Sequence, residues 1–159
     1  FCLSRGLGDV YKRQEKGMFE NEVYPGIKEL LRVLTKQGIL CLVATSKPEI
    51  YAKKILDYYE LSNYFYYIAG ANMDGTRTDK AEVIAYALKQ IPAEYSNKKV
   101  LMVGDRSHDI IGAKKNGIDC AGVLFGYGSR EELEGAGADF VADSVEAVKN
   151  IVFSDIARN

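Results

Sequence analysis

The sequence predicts an α/β fold of three layers, in which helices cover both faces of a parallel, Rossmann-like sheet. From Pro25 onward, strand-length apolar runs alternate with amphipathic helical segments, which is typical of βαβ units. The runs are continuously apolar, as expected for strands that are covered on both faces. Polar residues follow two of them directly, at Thr45 and Asp105. Parallel sheets bind ligands beyond the carboxyl ends of their strands, so we expect the functional site there.

Periodicity and capping residues predict the elements in order. Apolar residues three and four positions apart predict a first helix after Pro25 that ends at Gly38, and a first strand follows at residues 39–44. The third helix is predicted to begin at Asp79, with a buried stripe of Ala81, Ile84, Ala85 and Leu88. The remaining elements are a helix after Pro48, strands at 65–69, 100–103, 120–124 and 140–142, a helix at about 107–116, a short helix capped by Ser129 and a terminal helix capped by Asp143.

Composition narrows the class of protein. The 159 residues are 47% hydrophobic and 27% charged, which indicates one soluble globular domain. With 21 basic and 22 acidic residues, the formal net charge of -1 favours neither a nucleic acid nor an anionic membrane as partner. The apolar runs are too short to span a bilayer. Three cysteines without metal-like spacing favour a reducing, cytoplasmic setting.

The amino-terminal segment differs from the rest. The chain has no initiator Met, and residues 1–14 show neither helical nor strand periodicity. The segment from Ser4 to Gln14 resembles translated adapter sequence, so we expect residues 1–14 to be non-native and exclude them from the fold. A genuine disordered arm is the alternative. Residues 25–159 are expected to form the α/β core.

Three motifs suggest chemistry, and each has a plainer alternative. Thr45-Ser46-Lys47-Pro48 after the first strand suits a phosphate oxygen, although its hydroxyls also suit a helix cap. Asp105 and Asp109 lie four apart across a strand-to-helix turn and can offer oxygen ligands to Mg²⁺, or can serve as a cap and a first-turn acid.

Lys80 is the third candidate. It opens a helix, where its charge opposes the helix dipole, so neutralising a phosphate and an attacking carboxylate would explain it. Solvent exposure is the alternative.

The order of these motifs resembles the second, third and fourth motifs of the haloacid dehalogenase superfamily, and most closely its phosphoglycolate phosphatase-like branch. The phrases at residues 23–27, 44–48, 80–84 and 103–105 are similar to that branch, and the likeness extends from about residue 15 to the carboxyl terminus. The resemblance implies a Mg²⁺-dependent phosphomonoester hydrolase that forms an aspartyl-phosphate. It implies that Thr45, Lys80 and Asp105 are catalytic and that Thr45, Ser46, Lys47 and Lys80 bind the phosphate. It also implies that Asp105 binds Mg²⁺, with Asp109 as a second ligand or as the partner that orients Lys80.

The resemblance also implies parts that the sequence lacks. The nucleophile motif DxDGT, expected well upstream of Thr45, is absent, and residues 15–24 are expected to be the remnant of a mostly missing helical cap. The strand before that motif should lie between those of Thr45 and Asp105, so its absence would leave a groove. Residues 72–79 look like DxDGTxxD, but Asn72 stands in the nucleophile position and an amide cannot form the acyl-phosphate. We interpret this segment as the loop that delivers Lys80.

The sequence therefore predicts a phosphatase of a small phosphorylated metabolite, with phosphoglycolate and nucleoside monophosphates as candidate substrates, in a chain that is itself inactive. The alternative is a non-catalytic α/β module that binds a phosphate or nucleotide.

Overall fold

The computed structural model of the protein describes residues 23–156, in which helices and strands alternate. In chain order they are α1 (Ile27–Lys36), β1 (Leu42–Pro48), α2 (Glu49–Tyr58), β2 (Tyr67–Ala71), α3 (Lys80–Lys89), β3 (Leu101–Gly104), α4 (Ser107–Lys115), β4 (Asp119–Val123), α5 (Arg130–Gly135), β5 (Phe140–Ala142) and α6 (Val145–Ile156). Short 3-10 helices lie at Ser62–Tyr64 and Ala93–Tyr95. Residues 1–22 lie outside the described residues, so the prediction for residues 1–14 and most of that for residues 15–24 fall there.

The strands form two parallel half-sheets. In the first half-sheet β1 pairs with β2, and in the second the order is β3-β4-β5. A cavity of about 440 Å³ lies between β1 and β3, lined by Leu42 and Ala44 on one side and by Leu101 and Val103 on the other. Within residues 23–156, no strand pairs with the facing edges of β1 and β3. Among the described residues, the sheet is thus open between β1 and β3, at the point where the resemblance leads us to expect a groove.

Helices cover both faces of the half-sheets. On one face, apolar residues of α1, α2 and α6 pack against Val43, Ile68 and Val103. On the other, residues of α3, α4 and α5 pack against Ala44, Ala69 and Met102. Neighbouring residues of one strand, such as Val43 and Ala44, thus point into different layers, as successive strand residues must. The three-layer, Rossmann-like α/β fold is confirmed. None of the helices described is long and apolar enough to cross a membrane.

Most elements agree with the prediction, but the first strand does not. It was expected at residues 39–44, whereas β1 begins at Leu42 and continues to Pro48. Pairing with β2 starts at Leu42 opposite Tyr67 and, after an irregularity, resumes at Pro48 opposite Ala71. Thr45, Ser46 and Lys47 are consequently held in a bulge of the strand and not in a loop after it.

Two helix details also differ. The buried residues of α3 are Lys80, Val83, Ile84 and Ala87, so of the predicted stripe only Ile84 is fully buried. The stripe is turned because α3 packs on β1, β2 and α4 together. The amino end of α6 is capped by Ser144, whose hydroxyl accepts a hydrogen bond from Ala147 N at 3.1 Å, instead of by the predicted Asp143.

Candidate active site

The predicted site residues Thr45, Lys80, Asp105 and Asp109 all lie at the carboxyl edge of the half-sheets and are all buried. β1 supplies Thr45, the first turn of α3 supplies Lys80, and the end of β3 with the start of α4 supplies the two aspartates. Three segments that are far apart in sequence thus converge at one edge. The fold explains this convergence because parallel strands all end on the same side.

Lys80 stands between the half-sheets. Its ammonium nitrogen lies 2.9 Å from Asp109 Oδ1, and the two side chains are 4% and 0% exposed. The same nitrogen donates a hydrogen bond to the carbonyl oxygen of Ala44 at 3.2 Å. Asp79 caps the helix, since its side chain accepts from Ala81 N at 3.1 Å, and so fixes where Lys80 begins. The predicted alternative of a solvent-exposed lysine is therefore wrong.

Asp109 is held by backbone groups as well as by Lys80. Its Oδ2 accepts hydrogen bonds from Asp105 N and Arg106 N, each at 3.2 Å. Gly104 permits this approach, because a Cβ atom there would lie 2.4 Å from the Asp109 Cβ. A carboxylate with these partners on both oxygens has the geometry of the residue that orients Lys80, which is one of the two roles that the resemblance implies.

Asp105 has a different environment. Its Oδ2 accepts from Tyr127 N at 2.9 Å, and its carbonyl oxygen accepts from Gly128 N at 2.8 Å. Its buried Oδ1 has no hydrogen-bond partner among the described residues. Burial raises the pKa of the Asp105 carboxyl, the amide of Tyr127 opposes this shift, and the charge of Asp109 adds to it. A buried carboxylate oxygen in need of a partner fits a hard cation such as Mg²⁺.

The structure offers few other metal ligands. Between residues 23 and 156, no group of three or more histidine, cysteine or acidic side chains is arranged to hold a metal ion. His108, the single histidine, is exposed, and its Nε2 lies 3.9 Å from Asp109 Oδ1. Asp105 is consequently the residue of the described chain that fits a metal best.

The polar residues in the bulge of β1 divide into two kinds. Thr45 is buried, and its Oγ1 accepts a hydrogen bond from Lys47 N at 3.2 Å, which leaves the hydroxyl hydrogen available for an anion. Ser46 is exposed. Lys47 is buried, its ammonium has no hydrogen-bond partner among the described residues, and burial lowers its pKa to about 8. A buried cation without a partner is costly, which makes Lys47 a strong candidate for anion binding.

Glu132, on the short helix capped by Ser129, is a residue of the site that the sequence analysis did not select. One carboxylate oxygen accepts from Arg106 Nε and from Ser107 N, both at 2.9 Å. These contacts fix the turn that joins Asp105 to α4. No sequence signal identifies this role, because Glu132 lies far from Arg106 in the chain and the pairing exists only once α5 packs beside α4.

The segment at residues 72–79, which looks like the nucleophile motif, is a mostly exposed turn. Asp74 accepts hydrogen bonds from Thr76 N at 2.9 Å and from Thr76 Oγ1 at 2.6 Å, and Gly75 has a φ of 86°. These bonds lower the pKa of the Asp74 carboxyl. Asp74 is therefore a turn-forming residue, and the segment leads into α3 as predicted.

Comparison with known proteins agrees with this geometry. The sequence model of the haloacid dehalogenase-like hydrolases matches residues 5–123, and the chain belongs to this family. The match begins inside the segment from Ser4 to Gln14.

Three proteins illustrate the relatives to which this chain is similar. A 5'-nucleotidase of Pseudomonas aeruginosa is 44% identical over 119 residues, which cover 74% of this chain and 52% of that protein. The tyrosine-protein kinase PtkA of Mycobacterium tuberculosis is 40% identical over 119 residues, which cover 75% of this chain and 40% of the relative. The crystal structure of a predicted phosphatase from Clostridium acetobutylicum superposes with a TM-score of 0.81 at 43% identity, covering 88% of this chain and 64% of that one. The chain spans about half the length of the curated relatives that it matches.

Proposed function

We propose that this chain forms the phosphate- and metal-binding part of a Mg²⁺-dependent phosphomonoester hydrolase. The observation that supports this most directly is the buried ion pair between Lys80 and Asp109, 2.9 Å apart, beside the carboxylate of Asp105. Buried charges are expensive, so a fold retains such a group where a charged ligand needs it. The family membership and the named relatives agree with a phosphatase.

The cationic and hydroxyl groups are assigned to the phosphate. Lys80 would offset the charge of the phosphoryl group and of the attacking carboxylate, while Asp109 holds its ammonium in place. The Thr45 hydroxyl would donate to a phosphoryl oxygen, and Lys47 would supply a second positive charge. Ser46 remains a weaker assignment, because its side chain is exposed. Electrostatic stabilisation of this kind accounts for most of the rate in phosphoryl transfer.

Asp105 is assigned to Mg²⁺, through the Oδ1 that has no hydrogen-bond partner among the described residues. When bound, the cation would neutralise charge on the phosphoryl oxygens. Asp109 is assigned to the orientation of Lys80 in preference to a second metal ligand, because Lys80 and two backbone amides already occupy its oxygens.

The covalent step needs a carboxylate nucleophile, and none of the described residues is assigned to that role. In the proposed reaction an aspartate oxygen bonds to phosphorus as the bond to the leaving alcohol breaks, a general acid protonates that alcohol, and water then splits the aspartyl-phosphate. The groove between β1 and β3 ends beside Ala44 and Val103. A strand in this groove would bring its carboxyl end beside Lys80 and Asp105, so we assign the nucleophile to an upstream strand of the parent protein.

The substrate class is a small phosphorylated metabolite, with phosphoglycolate and nucleoside monophosphates as candidates. One relative is named 5'-nucleotidase and another, from Pseudomonas putida at 29% identity, is named phosphoglycolate phosphatase. Free thiols at Cys41 and Cys120 support the proposed reducing, cytoplasmic setting. A module that binds phosphate without turnover is the second candidate, and the missing nucleophile favours it for this chain alone.

The decisive experiment compares the 159-residue chain with the protein extended by its upstream reading frame. With Mg²⁺ and p-nitrophenyl phosphate, we expect background turnover from the chain and robust turnover from the extended protein. Asp105→Asn in the extended protein should lower the rate about 100-fold or more, the size expected for loss of an oriented electrostatic group. Asp74→Asn, which alters an exposed turn carboxylate, is the matched control and should leave the rate unchanged.

Two outcomes would contradict the proposal. Robust Mg²⁺-dependent turnover by the 159-residue chain that Asp105→Asn abolishes would show that the nucleophile is not upstream. An extended protein that binds phosphate but never turns over substrate would establish the binding module instead.

A further inference from the structure

Arg77 has an unusual backbone conformation. It lies in the loop between β2 and α3, and its φ is 53°, in the left-handed region. Of the non-glycine residues described, only Glu60 shares a positive φ. A residue with a Cβ atom stays in this region only where its surroundings fix it. The contacts of the Arg77 side chain are therefore expected to hold its backbone in this conformation.

The guanidinium of Arg77 is held from two directions. Its Nε donates to the carbonyl oxygen of Gly70 at 2.9 Å. Its Cζ lies 3.7 Å from the ring centroid of Tyr86, which is the distance of a cation–π contact. The Tyr86 hydroxyl is in turn 2.8 Å from that of Tyr67. The loop is thus attached to β2 through Gly70 and to α3 through Tyr86.

Gly70 connects this attachment to the bulge of β1. A Cβ atom on Gly70 would lie 2.6 Å from the carbonyl oxygen of Lys47 and 2.6 Å from Glu49 Cα. The backbone of β2 is therefore in close contact with the segment from Lys47 to Glu49. One residue thus contacts the segment of Lys47 and accepts the hydrogen bond of Arg77.

Lys80 follows Arg77 by three residues. The part of the loop before Arg77 is closed mainly on itself, because Asn72 N donates to Thr76 O at 3.0 Å and Asp74 accepts from Thr76. Arg77 is consequently the residue at which the loop is fixed to the sheet before α3 begins. Only two residues of loop, Thr78 and Asp79, separate Arg77 from Lys80, so a shift at Arg77 would be felt at the start of α3.

We propose that Arg77 is a positioning residue that fixes Lys80 against Ala44 and Asp109 and, through Gly70, aligns the segment of Lys47. The structural contacts stand on their own, whereas the value of this alignment for phosphate binding rests on the proposed function. The plainer alternative is that Arg77 only covers β2, which lies at the edge of the first half-sheet. A planar guanidinium that hydrogen-bonds and stacks at once favours the positioning role.

The first test reads the place of Lys80 without any activity. In the full chain, ¹⁵N NMR of the Lys80 ammonium reports how fast its hydrogens exchange with water. Arg77→Met should speed this exchange about tenfold or more, since it loses both the hydrogen bond to Gly70 and the cation–π contact with Tyr86. Arg77→Lys should have the same effect, because a lysine keeps the charge but lacks the planar guanidinium that makes both contacts. Tyr86→Phe, which retains the ring, is the matched control and should resemble the wild type. Amide exchange in β3 and β4 should not change in any variant.

The second test reads the consequence for an anion. Sulfate is the probe, because it has the shape of phosphate and does not titrate near neutral pH. Arg77→Met and Arg77→Lys should weaken sulfate binding about tenfold or more, the scale on which misplaced charges act. Lys80→Met reports on the site itself and should weaken sulfate binding at least as much.

The outcomes separate the two proposals. If the Lys80 exchange rate is unchanged in both Arg77 variants, or if amides of the second half-sheet lose protection equally, Arg77 has no positioning role. If the exchange rate responds but wild-type protein binds no sulfate, the positioning role stands and the proposed phosphate site fails. If Lys80→Met weakens sulfate binding and Arg77→Met does not, the phosphate site stands and the coupling through Arg77 is overturned.

Discussion

The two half-sheets present opposite chemistry to the same site. The second half-sheet brings carboxylates, and the backbone holds them: amides of Asp105, Arg106 and Tyr127 donate to Asp105 or Asp109. The first half-sheet brings a cation, Lys47, whose ammonium has no hydrogen-bond partner among the described residues. Lys80 lies between them and contacts both.

This difference suggests that the two half-sheets contribute differently to ligand binding and to stability. Backbone amides are fixed once the chain is folded, so they give the metal ligand a permanent geometry. The first half-sheet retains a buried ammonium without a hydrogen-bond partner among the described residues, which raises the free energy of the unliganded protein until an anion binds or the ammonium loses its proton. We therefore expect the second half-sheet to contribute rigidity and the first to contribute binding energy at the expense of stability.

The largest effect should follow from breaking the group that joins the halves. Lys80→Met removes the cation that lies 2.9 Å from the fully buried Asp109, and removal of one partner of a buried pair typically costs about 3–5 kcal/mol. Urea unfolding at pH 7 should show this loss. Lys89→Met, at an exposed position of the same helix, should change the unfolding free energy by less than about 0.5 kcal/mol. Equal effects of the two substitutions would show that the pair does not join the halves.

An effect of opposite sign is expected at Lys47. Its pKa in the folded protein is lowered to about 8 from 10.5, so between these values the unfolded chain binds more protons and stability rises with pH. Below pH 8 the full penalty is present. Lys47→Met removes it and should stabilise the protein at neutral pH by up to about 3 kcal/mol, while weakening anion binding.

This gain should shrink as the pH rises from 8 towards 10.5, which thermal unfolding across that range can measure. The exposed Lys54→Met serves as the control on the neighbouring helix. If the Lys47 variant were destabilised at every pH, the Lys47 side chain would have to stabilise the folded protein through partners outside the described residues.

The smallest effect should come from the support of the second half-sheet. Glu132→Gln keeps an acceptor for Ser107 N but loses the charge that faces Arg106, a partly exposed pair worth about 0.5–1 kcal/mol. The amide of Ser107 and then the Arg106 side chain lower the pKa of Glu132. Its contribution is therefore present at neutral pH and is lost as the pH falls through that lowered pKa. Chemical unfolding at a series of pH values from 7 downward should show this difference shrink, with the exposed Glu131→Gln as control. A difference that does not shrink on acidification would argue against the charge.

The sequence predicted the features of the fold and of the site that depend on local residue patterns. Buried strands, the end of the first helix at Gly38 and the order of Thr45, Lys80 and Asp105 follow from local patterns, and the structure brings those three residues to one edge. The bulge of β1 could not be predicted, because it arises from pairing with β2. The roles that the structure gives to Arg77 and Glu132 could not be predicted for a similar reason. An arginine in a loop and a glutamate on a short helix have many uses, and only their tertiary partners select one.

The position of Lys80 has a consequence for folding kinetics. Ala44 precedes Lys80 by 36 residues and lies on the first half-sheet, whereas Asp109 follows β3 of the second. We expect both contacts to form together only after the half-sheets have docked through α3, and therefore late on the route to the native state. Interactions made after the transition state slow unfolding and leave the folding rate almost unchanged. The contacts of Lys80 are therefore expected to lower the rate at which the two half-sheets separate during unfolding.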